Sequence, residues 1–303
     1  MARRSYLLGF VLCGGLAACG YPPLDPVVAA GQDAGSSGDD GSTATVADHL
    51  MFSTGNVTLA QGQQVRLRVQ RVHEDGSMTD VTAEATYLAD NEAVVAISDA
   101  AVVTSIQAGT AVVTARFAGA AQASIAVTVT NVLCHPVINE LVTGTATGGS
   151  SDEFVELYNP CVSAFDVDGW TLDYRSSTSS AGNPDTNLLA TLTGNLAAGG
   201  YLLAAGTGYT GPADWTFSVG TGLGQAGGAV GLRDGAMTTG ALIDSVGYGI
   251  VTAGNPFIES SPIPDIPTGL SASRLPFDGN DNNNNSEDIQ IVATPTPGKP
   301  NAP

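Results

Sequence analysis

Glu153-Phe154-Val155-Glu156-Leu157-Tyr158-Asn159-Pro160, followed by Val167-Asp168-Gly169-Trp170-Thr171-Leu172, is the stretch on which the reading of this chain turns. Apolar, aromatic and acidic residues run to Tyr158 as a strand, and Asn159-Pro160 ends it because proline cannot donate to a ladder. Phe154, Glu156 and Tyr158 share one face of that strand, and Val155 and Leu157 share the other. Both faces are largely apolar, as expected of a strand covered on both sides. A second strand starts at Gly169-Trp170, and everything from Cys134 onward can be arranged around this hairpin-like pair. Glu156 is the anomaly, since a buried carboxylate needs a partner. The segment offers only Arg175, Arg233, Arg274 and Lys299, and a structural ion pair between Glu156 and Arg274 is expected.

Composition places this strand in an all-β chain. Glycine accounts for 38 of 303 residues, charged residues for 13%, and long helical patterns are absent, which favours short strands and tight turns. The length allows two domains of ordinary size. The formal net charge is −19; without Arg3 and Arg4 the balance is eight basic against 29 acidic residues, a charge of about −21. Such a polyanion repels phosphate backbones, so nucleic acid is not expected as a partner.

The first residues read as an export signal. Arg3 and Arg4 form a positive start, Tyr6 to Leu12 is an apolar core too short to span a membrane as a mature helix, and Leu16-Ala17-Ala18-Cys19 closes it. This ending resembles the bacterial lipobox. The resemblance implies a signal peptide over residues 1–18, cleavage before Cys19 and lipid attachment at Cys19, the thiolate being the nucleophile that accepts the lipid. Gly20 after the cysteine points to the outer membrane by the sorting pattern of such lipoproteins. Arg3-Arg4-Ser5-Tyr6-Leu7 also loosely resembles a twin-arginine signal, although a disulfide formed after export suits the general secretion route. Residues 19–45, rich in Gly, Ser, Asp, Ala and Pro without apolar periodicity, read as a disordered tether.

Residues 46–131 carry alternating runs. Val65, Leu67 and Val69 alternate with Arg66, Arg68 and Gln70; Ala111, Val113, Ala115 and Phe117 with Val112, Thr114 and Arg116; Ile125, Val127 and Val129 with Ala126 and Thr128. Turns at Gln61-Gly62, Asp75-Gly76, Ala108-Gly109 and Ala118-Gly119 separate about seven short strands. Thr58-Leu59-Ala60-Gln61-Gly62-Gln63, Asp90-Asn91-Glu92-Ala93-Val94-Val95 and Ile106-Gln107-Ala108-Gly109-Thr110-Ala111 resemble the bacterial immunoglobulin-like group 2 domain. That resemblance implies a spacer.

Residues 132–303 form the second domain. Val137-Ile138-Asn139-Glu140, the opening stretch, Leu196 to Leu203, Gly228 to Asp234, Ile243 to Gly249, Leu270 to Arg274 and Thr296-Pro297-Gly298 with Asn301 resemble the lamin-tail domain. The resemblance implies an immunoglobulin-like β-sandwich, with insertions near Ser176 to Thr186 and Asn255 to Pro267. The fold class expected is therefore all-β, two immunoglobulin-like sandwiches in tandem after a cleaved signal peptide and a tether. Cys134 and Cys161 are the cysteines outside the signal, and in an exported chain such a pair is most simply a disulfide.

Chemistry-bearing motifs are weak. Gly222 to Gly227 satisfies GxGxxG, but no helix pattern follows it in this glycine-dense region. Asp278 to Asp288 is oxygen-rich; without glycine at the sixth position and glutamate at the twelfth it is not an EF-hand. Asp278, Asn280, Asn282 and Asp288 remain calcium candidates of another geometry, set against a plain polar turn, and no other metal or cofactor is expected. No catalytic constellation is found, so an enzyme is not expected. The expected role is a lipid-anchored surface protein whose distal sandwich contacts protein, glycan or envelope. The alternative is an accessory binding module accompanying secreted hydrolases.

Overall fold

Alternation builds the first sandwich as the residue pattern demands: Ala111, Val113 and Ala115 are buried while Val112 and Arg116 are exposed. The structure, a computed structural model, describes residues 47–144, 151–217 and 222–302. The signal, Cys19 and the tether lie outside the described residues. Its first strands are β1 (His49–Phe52), β2 (Val57–Gln61), β3 (Gln64–Arg66), β4 (Val69–Val72) and β5 (Met78–Asp80). They continue with β6 (Thr86–Ala89), β7 (Val95–Ile97), β8 (Val102–Ser105), β9 (Gly109–Arg116) and β10 (Ala123–Leu133).

The sheet β2-β10-β9-β6 shares one core with the smaller sheets β1-β4-β5 and β3-β8-β7. About seven strands were expected and ten form; one of the additional strands arises because the run from Gln64 to Val72 breaks at Leu67-Arg68. Its halves join different sheets, and Leu67 sits fully buried at the break. β10 pairs antiparallel with β9 and parallel with β2.

The second sandwich opens with β11 (Val137–Val142), β12 (Phe154–Tyr158), β13 (Phe165–Asp166), β14 (Thr171–Ser176), β15 (Asn187–Thr191) and β16 (Asn195–Leu196). Next come β17 (Tyr201–Gly206), β18 (Trp215–Phe217), β19 (Gly227–Asp234) and β20 (Ala241–Gly249). It closes with β21 (Ser271–Arg274), the single turn α1 (Asn285–Asp288) and β22 (Ile289–Val292). Two sheets, β18-β17-β12-β11-β21-β22 and β15-β14-β19-β20, enclose a core that includes Val155, Leu157, Leu172, Val230 and Val246.

The two strands of the opening stretch do not form a hairpin. β12 lies in the six-stranded sheet and β14 in the four-stranded one, with Val167 and Trp170 buried in the crossing between them. Proline at 160 stops the first ladder, and the apolar anchors at 167 and 170 carry the chain across the core instead of back alongside. In β11 a bulge between Ile138 and Glu140 puts both Ile138 and Leu141 into the core, three residues apart, and turns Glu140 outward.

The described residues of both sandwiches belong to one compact unit. β10 runs into Cys134 without a linker, and the Cys134 N–H donates to the Gln61 carbonyl at 3.0 Å. Across the same seam the Gln64 N–H donates to the Pro160 carbonyl at 2.7 Å and the Val162 N–H to Gly62 at 2.9 Å. Gln63 Nε2 donates to the Gly279 carbonyl at 2.9 Å, and Phe277 of the second sandwich packs against the first core. A disulfide joins Cys134 to Cys161 at this seam, with Cα atoms 5.7 Å apart.

Candidate functional site

Three arginines are the main cationic resource of the distal sandwich, and the fold consumes all three. Arg274 is fully buried and radiates into five partners. Its Nε donates to the Ile138 carbonyl at 2.8 Å, Nη1 to the Asn280 carbonyl at 2.8 Å, and Nη2 to Asp244 Oδ1 at 2.8 Å. Asp281 and Asp288 stand 3.3 and 3.8 Å from Nη1. Burial alone would lower the Arg274 pKa, but Asp244, Asp281, Glu259 and Asp288 outweigh it and hold the guanidinium above its ordinary value. Asp244, Glu259 and Asp281 bring carboxylate oxygens within 4.8 Å of one another. Burial, then the neighbouring Asp244, pushes Glu259 up to about 9.

The expected Glu156–Arg274 pair does not form. On β21, Ala272 and Arg274 share the face turned to the core, while Ser273 faces outward to meet Glu140. Glu156 opposes Glu140 on that outer face, so a whole sheet separates it from the guanidinium.

On the four-stranded sheet, Arg175 and Arg233 converge on Asp185 at 2.7 and 2.9 Å. Their guanidinium carbons lie 5.5 and 5.0 Å from the centroid of the Phe257 ring between them. Gly231 leaves the space for that ring, since a Cβ there would come 2.5 Å from Phe257. Asp185 and Phe257 belong to the two insertions, which therefore cover the outer face of this sheet.

The outer face of the six-stranded sheet is covered by the C-terminal residues 296–301. The Thr296 N–H donates to Glu140 Oε2 at 3.0 Å, the Gly298 N–H to Glu156 Oε2 at 2.5 Å, and the Asn301 N–H to Asp278 Oδ1 at 3.0 Å. Asn139 Nδ2 bridges Glu156 Oε1 at 3.1 Å and Asp278 Oδ1 at 3.0 Å, and the Tyr201 hydroxyl donates to Asp278 Oδ2 at 2.8 Å. Three carboxylates thus hold a peptide strap through neutral donors. Burial pushes Glu156 up to about 8, opposed by the Gly298 and Asn139 donors and reinforced by the charges of Glu140 and Asp278. Burial likewise raises Glu140.

The folded state binds the Glu156 proton more tightly than the unfolded chain, so this stability is full below about pH 4.5 and is lost as pH rises through about 8. The protein is expected to lose up to about 5 kcal/mol from this group across that window, and Glu156→Gln to lose none of it. Urea denaturation of both proteins at several pH values checks this. Equal pH slopes would rule it out.

Between the strap and β17 lies a cleft of about 230 Å³ lined by Glu156, Tyr201, Tyr209, Asp214, Pro297 and Gly298. Tyr158 and Tyr201 pair with ring centroids 4.8 Å apart, and Tyr209 meets Phe154 edge-on at 5.8 Å.

The four calcium candidates are not gathered into one oxygen shell. Asp278 serves the strap. Asp288 instead accepts from Asn280 Nδ2 at 3.2 Å, Asn282 Nδ2 at 2.8 Å and the Asn282 and Asn284 N–H groups at 2.8 and 3.2 Å, which pins the turn before α1. The GxGxxG run leads directly into strand β19. Sequence reading missed Asp244, Asp185, Asp278 and the strap as polar partners. Parity offered one signal: Asp244 falls in register with the buried Val246 and Tyr248.

Residues 133–249 match the family model described as Lamin Tail Domain. The match ends at Gly249, although β21 and β22 complete the same sheet. Among solved structures, a DUF4876 family protein from Bacteroides thetaiotaomicron is similar at 12% identity and a TM-score of 0.39, over 81% of this chain and 95% of that one. Domains 4–9 of the surface layer protein SbsC are similar at 14% identity and a TM-score of 0.27, over 67% of this chain and 31% of that one. Comparison with curated proteins gives no match.

Proposed function

We propose that this protein is a lipid-anchored component of the outer membrane whose lamin-tail sandwich makes contacts at the cell envelope or surface and catalyses no reaction. One observation carries the reading of the distal domain. Its arginines and most of its buried carboxylates are committed to holding loops and strap, while an acidic, tyrosine-lined cleft stays open beside them. The contact partner is a protein, a glycan or another envelope component, and nucleic acid is disfavoured by the net charge of −19. The lipobox-like ending at Cys19 supports the anchor, and several acyl chains at ~0.8 kcal/mol per buried methylene would hold it firmly.

Metabolic labelling with palmitate tests the anchor. The wild type is expected to carry label and to fractionate with the outer membrane, and Cys19→Ala to carry none. Label retained by Cys19→Ala would remove the anchor from this reading.

A further inference from the structure

Methionine is scarce in this chain, with four residues in 303, and histidine scarcer still, with three. Two of those methionines and one histidine meet on one face of the small sheet β1-β4-β5. In β1, Leu50 and Phe52 are buried, so His49 and Met51 point to the opposite side. The ladders set His49 opposite Val72 and Met51 opposite Gln70; Val72 in turn lies opposite Met78, and Gln70 opposite Asp80. Residues paired directly across antiparallel strands share a face, so these six side chains stand together on the outer surface of the sheet. Met51 and Met78 are 38% and 56% exposed, although methionine is among the residues most often buried.

The spacing lets three donors converge. His49 and Met51 are two residues apart on one strand, about 7 Å by strand rise, and His49 and Met78 flank Val72 across two strand spacings, about 10 Å. Val72 between them is short, and an unbranched methionine with three rotatable bonds reaches over it. The backbone beneath is held from both sides. The His73 N–H donates to the Ser77 carbonyl at 2.9 Å and closes the β4–β5 hairpin, and the Leu50 N–H donates to the Ala121 carbonyl at 2.8 Å on the free edge of β1. The imidazole is oriented as well. Its Nδ1 lies 3.4 Å from the Ala47 carbonyl, so a ring proton there serves that contact and Nε2 keeps its lone pair for a ligand. Metal-bound histidines generally show this arrangement.

We propose that His49, Met51 and Met78 form a surface site for a soft monovalent cation, Cu(I), bound through Nε2 and two thioether sulfurs. Ligand type decides the metal. Thioether and imidazole suit Cu(I), whereas calcium and magnesium require oxygen shells and zinc favours thiolate, imidazole and carboxylate. Asp80, the one carboxylate of this face, stands 3.7 Å from Arg68 Nε, which leaves three neutral donors for a single positive charge. His73 is not a ligand, because its ring nitrogens lie 3.2 Å from Asp48 Oδ2 and 2.9 Å from Thr79 Oγ1. The ion arrives already reduced, and binding transfers no electron.

The site belongs to the first sandwich, so it goes beyond the contact role of the distal one and either can fail alone. The test is NMR titration of the full chain in detergent with silver nitrate, Ag(I) serving as a redox-inert probe of the same ligand preference. The disulfide is left intact, free thiols are blocked with N-ethylmaleimide, and the methionine ε-methyl groups carry ¹³C. Saturable shifts of the Met51 and Met78 methyl signals, complete at one equivalent, are expected, with Met237 unmoved. Met51→Leu and Met78→Leu conserve volume at exposed positions, so both are expected to keep the fold and to bind at least about tenfold more weakly. His49→Gln is expected to lose as much, and Met237→Leu nothing. Under anaerobic conditions the wild type is expected to withdraw one equivalent of Cu(I) from bicinchoninate. Parallel, non-saturating shifts of all three methyl signals, full affinity in the Met51→Leu and Met78→Leu variants, or displacement of Ag(I) by equimolar zinc would overturn the proposal.

Discussion

Arg274→Ala is expected to lower the unfolding free energy by about 3–5 kcal/mol, the usual cost of removing one partner from a buried ion pair. The reason is what it leaves behind. Asp244 is fully buried, and its Oδ2 accepts the Ile138 N–H at 2.6 Å, so it cannot turn to water when the guanidinium goes. Two carbonyls, of Ile138 and Asn280, lose their donor in the same step. Arg274→Lys keeps the charge, yet an ammonium cannot span partners in several directions as the planar fork does, so an intermediate loss is expected. Guanidinium denaturation of the three proteins at one pH is the measurement. A loss below about 1 kcal/mol in Arg274→Ala would show that the carboxylates neutralise by taking up protons instead.

Removing the disulfide ranks next. On the chain-entropy account, a crosslink across a separation of 27 residues contributes about 3–4 kcal/mol. Cys134→Ser with Cys161→Ser is expected to lose that amount, and reductant on the wild type to reproduce it. The position of the crosslink adds a second expectation. Cys161 forms a bridge with Gln63 of the first sandwich, and the Cys134 N–H bonds to Gln61, so loosening the disulfide also loosens the seam. Hydrogen exchange should therefore accelerate at Gln64 and Val162 in the double variant. An unchanged denaturation midpoint would mean that the folded neighbours alone hold the two segments together.

What the sequence conveyed was parity. Alternation placed Val113, Val127 and Val155 on buried faces without knowledge of neighbours, because one strand suffices to define its two sides. The resemblance read from Val137-Ile138-Asn139-Glu140 through Asn301 assigned the sandwich, and the cysteine pair fell on either side of β11 and β12, which pair directly. Partner choice was not legible in the same way. Glu156 and Arg274 are both buried, but which side of the sheet each occupies depends on the bulge near Asn139 and on β21 docking beside β11. The insertions looked like excess chain, yet they carry Asp185 and Phe257, whose place between Arg175 and Arg233 follows from tertiary folding alone. The cleft was invisible for a similar reason: its walls come from positions 156, 201, 209, 214 and 297, which no local pattern connects.

The parallel pairing of β2 with β10 has a mechanical consequence. Traction between the start of β2 and the end of β10, where the chain passes into the second sandwich, pulls the two strands in opposite directions along their shared axis. Their hydrogen bonds are then loaded side by side and must yield together, whereas strands peeled from one end give way one bond at a time.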